Sequence, residues 1–575
     1  MSFREGPNTP RKFFAGIISV GLLAAFIPIG QAAQAAVKTP AEEAGYKQYS
    51  QNEAIAMFLS KADALAKELS VVIIGRTQDV RGFPSKDIYL CILTEEGAAN
   101  PQGLNRAKPT VFLTASQHGN EQSAKEAVLR LIRDFSLGDL KQLLKKINVL
   151  AIPQTNPFGN FFDIRQNEIA LDMNRDHVKL EAEGVRAIHR AFRAWMPEVS
   201  LDVHEKGDDF YRVSVGCVSN LNIHPSLQEF SRRVILDDIA ESLKKKNITF
   251  HEYLVTEDLG MDTSSGARLE PQREGPRETM KRYSTTDLND GRNSPGIYET
   301  LSFIQEGASR HDLETLDART RWQYFGIKSF TESVAEHAEE ILSLVGNCRA
   351  RLIERAKVQS GADPVHLRLA YVRDPKQPEL ALKKFERAEP PVRGVLATDK
   401  KAGDLLTARD IAPYPMSPDM KVVSDIVINW FPNVETRLSV VRPAGYVIPA
   451  AHADVIETLL DHGVVVETFT QDKNTEVGAY QIKEIVPSGE DYLAPEQIEV
   501  EKKALSTIVK KGDFYISCFQ EAANLIPCLL EPQSEYGFIR YWKFKLVPEK
   551  GGFFALFRLE KSQPLPLVPY KEWAE

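Results

Sequence analysis

The chain has 575 residues, 43% of them hydrophobic and 26% charged, with a formal charge of −8. At about 100–200 residues per domain the length implies two or three domains, and the composition is that of a folded chain rather than a disordered one. An acidic balance without a basic stripe of interleaved aromatics argues against nucleic acid as a partner.

At the N-terminus, Arg4, Arg11 and Lys12 precede the apolar run from Phe13 to Gly30. AAQAA follows, where Ala33 and Ala35 suit cleavage before Ala36. Residues 1–35 therefore read as a signal peptide of an exported protein, periplasmic or secreted. An uncleaved anchor is the competing reading, since a run of about 18 residues is near the lower limit for a membrane span. No second long apolar stretch follows, so no stable membrane insertion is expected once the signal is removed. Five cysteines (Cys91, Cys217, Cys348, Cys518 and Cys528) leave at least one unpaired if all bridges are internal. Cys518 and Cys528 are spaced closely enough to bridge, or stand as buried thiols.

Residues 37–70 carry apolar residues at helical intervals. SVVIIGRTQ and DIYLCILTEE then read as strands around a turn-prone VRGFPSK. Alternation begins with strand PTVFLTAS, helix SAKEAVLRLIRDF and strand INVLAIPQ. It continues with helix GVRAIHRAFRAWM, strands VSLDVHE and RVSVGCVS, and helix PSLQEFSRRVILDDIAESLKKK. GIYETLSFIQ reads as a strand, and SFTESVAEHAEEILSLVGNCRARLIERAK as one long helix. Apolar strands alternating with amphipathic helices predict an α/β layer sandwich with a mostly parallel sheet. The texture changes near 360, where DPKQPELALKKFERAEPPVRG is charged and proline-bearing and reads as linker or loop, and the linker is placed at 356–389. Beyond it, YVIPA, VVVETFT, DFYISC, YWKFKLV and FFALFRLE read as short strands, with ADVIETLLDHG helical. Residues 390–575 are expected to form a smaller, β-rich second domain.

Three clusters carry chemistry. QHGNE, 117–121, directly follows the strand VFLTAS, and ligand sites gather at strand C-termini of open α/β sheets. One helical-type turn puts His118 and Glu121 on one side, where an imidazole nitrogen and a carboxylate oxygen can reach one ion at about 2.0–2.2 Å. In LDVHEKG, His204 ends a strand and shares one face of it with Asp202. RQNEIALDMNRDH, 165–177, is dense in Arg165, Asp172, Asn174 and Arg175, and arginine recognises planar carboxylates with paired donors. Taken singly, each cluster is as readily an ordinary surface or core feature. The chain has no G-x-x-x-x-G-K-[ST], H-E-x-x-H or G-x-S-x-G pattern, so nucleotide hydrolysis, thermolysin-like chemistry and serine catalysis lose support.

Together, His118-Gly119-Asn120-Glu121, Asp172-Met173-Asn174-Arg175 and His204 occur in the order and setting of the carboxypeptidase A-like zinc carboxypeptidases, which roughly residues 60–345 resemble. The resemblance implies a three-layer α/β sandwich over 36–355, with a central, mostly parallel mixed sheet. It implies one Zn²⁺ per chain on His118, Glu121 and His204, with an open fourth position. Asp172 then orients the first histidine. Arg165 polarises the scissile carbonyl, and Asn174 and Arg175 grip the substrate's terminal carboxylate. For the general base, Glu306, at the end of LSFIQ, is favoured over Glu299. The family's substrate-facing tyrosine is not assigned, with Tyr283 and Tyr298 as candidates. His177, His189, His224 and His251 are read as structural or exposed. The function implied is a metallocarboxypeptidase acting on exported or cell-wall peptides. The alternatives are a zinc-dependent deacylase of small acyl amino acids, as in succinylglutamate desuccinylase-like relatives, and a non-catalytic binding protein of the same fold. The expected partner is a peptide or acyl amino acid with a free carboxylate.

Overall fold

The computed structural model describes residues 37–207, 210–258, 261–262, 267–268, 279–282, 285–308, 315–358, 363–386, 421–487 and 495–570. The expected signal segment and Tyr283 lie outside these residues.

Eight strands form the central sheet: β1 (Leu69–Arg76), β2 (Asp87–Leu93), β3 (Thr110–Ala115), β4 (Asn148–Ile152), β5 (Val199–Lys206), β6 (Val213–Cys217), β7 (Phe250–Glu252) and β8 (Leu301–Ala308). Their order is β1-β2-β4-β3-β5-β8-β6-β7. The pairings β4–β3, β3–β5, β5–β8 and β6–β7 are parallel, and the others antiparallel. Strands β3, β4 and β8 are buried at every position. That is why they read as near-continuous apolar runs rather than alternating ones: both faces are covered. The cover comes from α1 (Asn52–Leu65), α2 (Gln122–Leu137), α3 (Glu183–Trp195) and α4 (Leu316–Glu336), with α5 (Ala338–Val358) packed against α4. The mixed sheet with flanking helices is the expected α/β architecture.

Several local expectations give way. The long helix is two, α4 and α5, parted at His337, whose Nε2 lies 3.2 Å from Asp238. The strand predicted from Gly296 starts only at Leu301, after a short helical turn at Asn293–Gly296. YWKFKLV contains a 3₁₀ turn, Trp542–Phe544, with Phe544 stacked on Phe538 at a centroid distance of 4.2 Å. The stretch read as linker contains two strands. Pro364–Val372 pairs with Asn433–Val441, and Glu379–Glu386 pairs with Lys421–Trp430. The pairing shifts register at Leu382/Lys383, where Asp425 of the partner strand is the extra residue; in the sequence the charges and prolines of the stretch outweigh its strand signal.

The C-terminal part builds a seven-stranded sheet from strands between Gly445 and Pro569, with the helix α6 (Ala453–Asp461). A long hairpin, Lys473–Pro487 against Pro495–Val509, edges it. The largest apolar core runs without interruption from the central sheet into this region. All five cysteines are buried and unbonded, so Cys518 and Cys528 form no bridge.

Candidate metal centre

The parallel strands β3, β5 and β8 end at one edge of the sheet, and the candidate residues collect there. Beyond β3 the chain turns at Ser116, in the left-handed region at φ 63°. Glu121 follows as the residue preceding α2. The turn is pinned from below. Gly119 N donates to Arg165 O (3.2 Å), and Asn160 Nδ2 donates to Gly119 O (2.7 Å). A Cβ on Gly119 would lie 2.0 Å from the carbonyl carbon of Gly159, so only glycine permits this approach.

His204 and Glu306 are direct neighbours across the β5–β8 register. His204 Nδ1 lies 2.7 Å from Glu121 Oε2 and 3.1 Å from His118 Nδ1, and His118 Nδ1 lies 2.7 Å from Glu121 Oε1. Each imidazole turns its other nitrogen to a carboxylate: His118 Nε2 to Asp172 Oδ1 (3.0 Å), and His204 Nε2 to Asp202 Oδ2 (2.6 Å). A carboxylate at Nε2 keeps the proton there and leaves the Nδ1 lone pairs facing one another and Glu121. Three buried acceptor groups pointing at a common centre repel unless a cation or extra protons sit among them. Two neutral nitrogens and one carboxylate oxygen are the donor set of a catalytic zinc site. Among the described residues, His118, Glu121 and His204 are the cluster whose ligand atoms converge this closely.

The electrostatics ask for positive charge at the same point, which protons or a cation can supply. Burial works against a charged His204, yet Asp202 and Glu121 outweigh it and hold the imidazole well above its usual range. Burial likewise favours a neutral Glu121, but His118 and His204 hold it far below the usual carboxylate range. The pocket is thus built to keep positive charge beside Glu121, and zinc satisfies that demand directly.

The remaining candidates surround this centre. Asp172 bridges, receiving His118 on Oδ1 and Arg165 Nε on Oδ2 at 2.9 Å. Arg165 Nη1 comes 3.7 Å from Glu121 Oε1, and its side chain is 40% exposed, with one edge to solvent. Asn174 is buried. Its Oδ1 accepts from Gly291 N (2.7 Å), and its Nδ2 lies 3.5 Å from His204 Nε2. Arg175 is exposed at the rim and donates through Nη1 to Asn174 O (2.7 Å), with Asp287, Asp172 and Asp290 nearby. Burial pushes the Glu306 carboxyl up to about 7, with the two imidazoles pulling it back and Glu121 pushing further.

Glu299 stands elsewhere. Its Oε2 accepts from His224 N (2.8 Å) and its Oε1 from Asn524 Nδ2 (3.3 Å), at the junction with the C-terminal part. Tyr298 is equally remote, donating to His462 O (2.7 Å). The residue that sequence reasoning missed is Tyr253. It follows β7, its N donates to Val215 O (2.9 Å), and its phenol is pushed up by burial and by the nearby Glu306 carboxylate. Nothing in the sequence separates it from the other 16 of the 17 tyrosines; only the β6–β7 pairing brings it here.

Residues 55–205 match the zinc carboxypeptidase family. Carboxypeptidase 2 of Trichophyton rubrum is 22% identical over 508 residues, covering 84% of this chain and 82% of that protein. Its counterpart in Trichophyton tonsurans is 21% identical over the same shares. Among solved structures, a metallo-carboxypeptidase from Pseudomonas aeruginosa is 18% identical over 52% of this chain and 71% of that one, with a TM-score of 0.37. Carboxypeptidase A from Helicoverpa armigera is 13% identical over 54% and 80%, with a TM-score of 0.39.

Proposed function

Residues 55–205 mark this chain as a zinc metallopeptidase of the carboxypeptidase kind, and from that premise we propose that it is exported and removes C-terminal residues from peptides outside the cytoplasm, cell-wall peptides among them. The observation that carries this reading is the convergence of His118 Nδ1, His204 Nδ1 and the Glu121 carboxylate, 2.7–3.1 Å apart, beside the buried carboxyl of Glu306. When bound, zinc supplies Lewis-acid polarisation of a carbonyl and acidifies water.

The chain's own groups supply the rest. Glu306 accepts a proton from the attacking water and returns it to the leaving amine, as a general base and then a general acid. Arg165, held by Asp172, offers N–H donors to the carbonyl oxygen as it gains charge. Asp172 also holds the His118 tautomer. Arg175 meets the substrate's terminal carboxylate at the rim, with Asn174 beside it, which confines cleavage to chain ends. Catalysis is assigned to residues 36–355. Among the described residues no helix is long and apolar enough to cross a membrane; the export reading rests on the sequence of residues 1–35.

The test is amino-acid release from a panel of peptides and acyl amino acids, with and without a chelator. Release from peptides that a chelator abolishes and zinc restores is the expected result. Turnover of acyl amino acids alone would reassign the enzyme as a deacylase, and zinc binding without turnover of either would reduce it to a binding protein.

A further inference from the structure

Behind His204 runs a line of buried polar groups that the reaction does not use. Asp202 accepts from Thr114 Oγ1 on Oδ1 (2.8 Å), and from His204 Nε2 (2.6 Å) and Gln117 Nε2 (2.7 Å) on Oδ2. Gln117 Oε1 faces His177 Nε2 at 2.8 Å, and His177 Nδ1 faces His189 Nε2 at 3.1 Å. His189 meets His462, the residue after α6, edge to face at a centroid distance of 5.0 Å. His462 Nε2 in turn donates to Val178 O (2.9 Å). Gln117, Asp202, His177 and His189 are all buried.

We infer that Gln117, His177 and His189 are positioning residues, a one-way hydrogen-bond relay that fixes Asp202 and through it the tautomer and ring plane of the metal-facing His204. The inference rests on the zinc-site reading above. Its logic is one of donors and acceptors. Asp202 only accepts, so Gln117 must turn its amide nitrogen toward it; the flipped amide would set two acceptors 2.7 Å apart. Gln117 Oε1 then requires a proton on His177 Nε2. Burial pushes the His177 ring below its usual range, and with its proton on Nε2 the neutral ring presents Nδ1 as the acceptor for His189 Nε2 at 3.1 Å. Each of these groups has one allowed orientation, and together they hold Asp202 in place as the acceptor of the His204 Nε2 proton, with the Nδ1 lone pair free for the ion. A buried polar chain whose links all run one way is rigid, and one broken link leaves an unpaired group in low dielectric.

Gly291 supports the same reading from outside the chain of bonds. A Cβ there would lie 2.4 Å from Asp202 Oδ2 and 2.5 Å from Gln117 Nε2. The backbone of Gly291 therefore closes directly over the Asp202–Gln117 contact, and no side chain is tolerated.

The experiment measures zinc affinity of the full chain by competition with a chromophoric chelator, and reads ring ¹⁵N shifts of the wild-type histidines. Loss of a group that orients a metal ligand costs about 10–100-fold in affinity. His177→Leu is expected at the low end, about tenfold weaker. His177→Gln, which restores an N–H donor, is expected to stay within about threefold of wild type, because the donor is what the relay requires. The ¹⁵N shifts should show His177, His189 and His204 protonated on Nε2, a readout independent of whether any variant folds. A folded His177→Leu protein with wild-type affinity overturns the relay, and so does a proton on His177 Nδ1. A wild-type chain that does not take up zinc refutes the metal-site reading itself, and the relay's role with it.

Discussion

At Glu306 burial competes with charge. A carboxyl pushed up to about 7 by burial is half protonated at neutral pH and is then a poor base. A dication close by favours the ionised form, so zinc loading is expected to lower it. Because Glu306, as the proposed base, must be deprotonated, kcat/KM is expected to rise with pH through an acid limb lying below pH 7. Glu306→Gln should remove that limb and lower kcat by about 10²–10⁴-fold, the usual contribution of general acid–base catalysis. Zinc content should stay unchanged, since Glu306 is not among the converging donors. Metal analysis beside the kinetics distinguishes the outcomes, and full turnover in Glu306→Gln would end its candidacy as base.

Elements carry these residues only because their register is fixed. His204 and Glu306 are paired across β5 and β8. A slip of one residue would turn either to the opposite face of the sheet. The turn after β3 is held as tightly by the contact of Gly119 with Gly159, in the short helix Pro157–Phe162. Gly119→Ala places a methyl group against backbone that cannot yield as a side chain would. Overpacking of this kind costs about 1–3 kcal/mol, and here it also displaces His118 and Glu121 from β5. The variant is expected to show a lowered denaturant midpoint and weakened zinc binding. Stability and affinity both at wild-type levels would mean that the loop relaxes without cost.

On the scale of the whole molecule, Glu299 joins the central sheet to the C-terminal part. Only 1% exposed, it is bonded to His224 N and Asn524 Nδ2, and burial pushes its carboxyl up to about 7. A carboxyl raised above its unfolded value helps folding fully below the unfolded pKa, and that help is lost as pH rises through the folded pKa. From the ordinary 4.5 to about 7, the loss amounts to about 3 kcal/mol at most. Glu299→Gln has no such proton to lose. Its stability relative to wild type should therefore improve between pH 4 and pH 8 by up to about 3 kcal/mol, as urea unfolding at a series of pH values would record. A pH-independent difference would show that Glu299 titrates normally in the folded protein.

Buried strands and amphipathic helices announce themselves through period and composition, so seven of the eight strands of the central sheet were legible in the sequence, all but the short β7. So was the order of the metal-site motifs, because His118 and Glu121 share one turn and His204 stands at a strand end. What the sequence withheld depends on contacts between distant segments. Tyr253 reaches Glu306 only through the pairing of β7 with β6. Glu299 and Tyr298 sit a few residues before Glu306, yet the backbone turn at Glu299, with φ 56°, sends them to the C-terminal part. The strand over 379–386 was hidden by the charged residues and prolines around it. The histidines at 177 and 189 look idle in the linear chain, because hydrogen-bond direction is a property of neighbours in space. Local sequence determines which segments are strands and which residue types can bind an ion; packing of segments far apart along the chain decides which of those side chains meet, since burial and partners set both their protonation and their orientation.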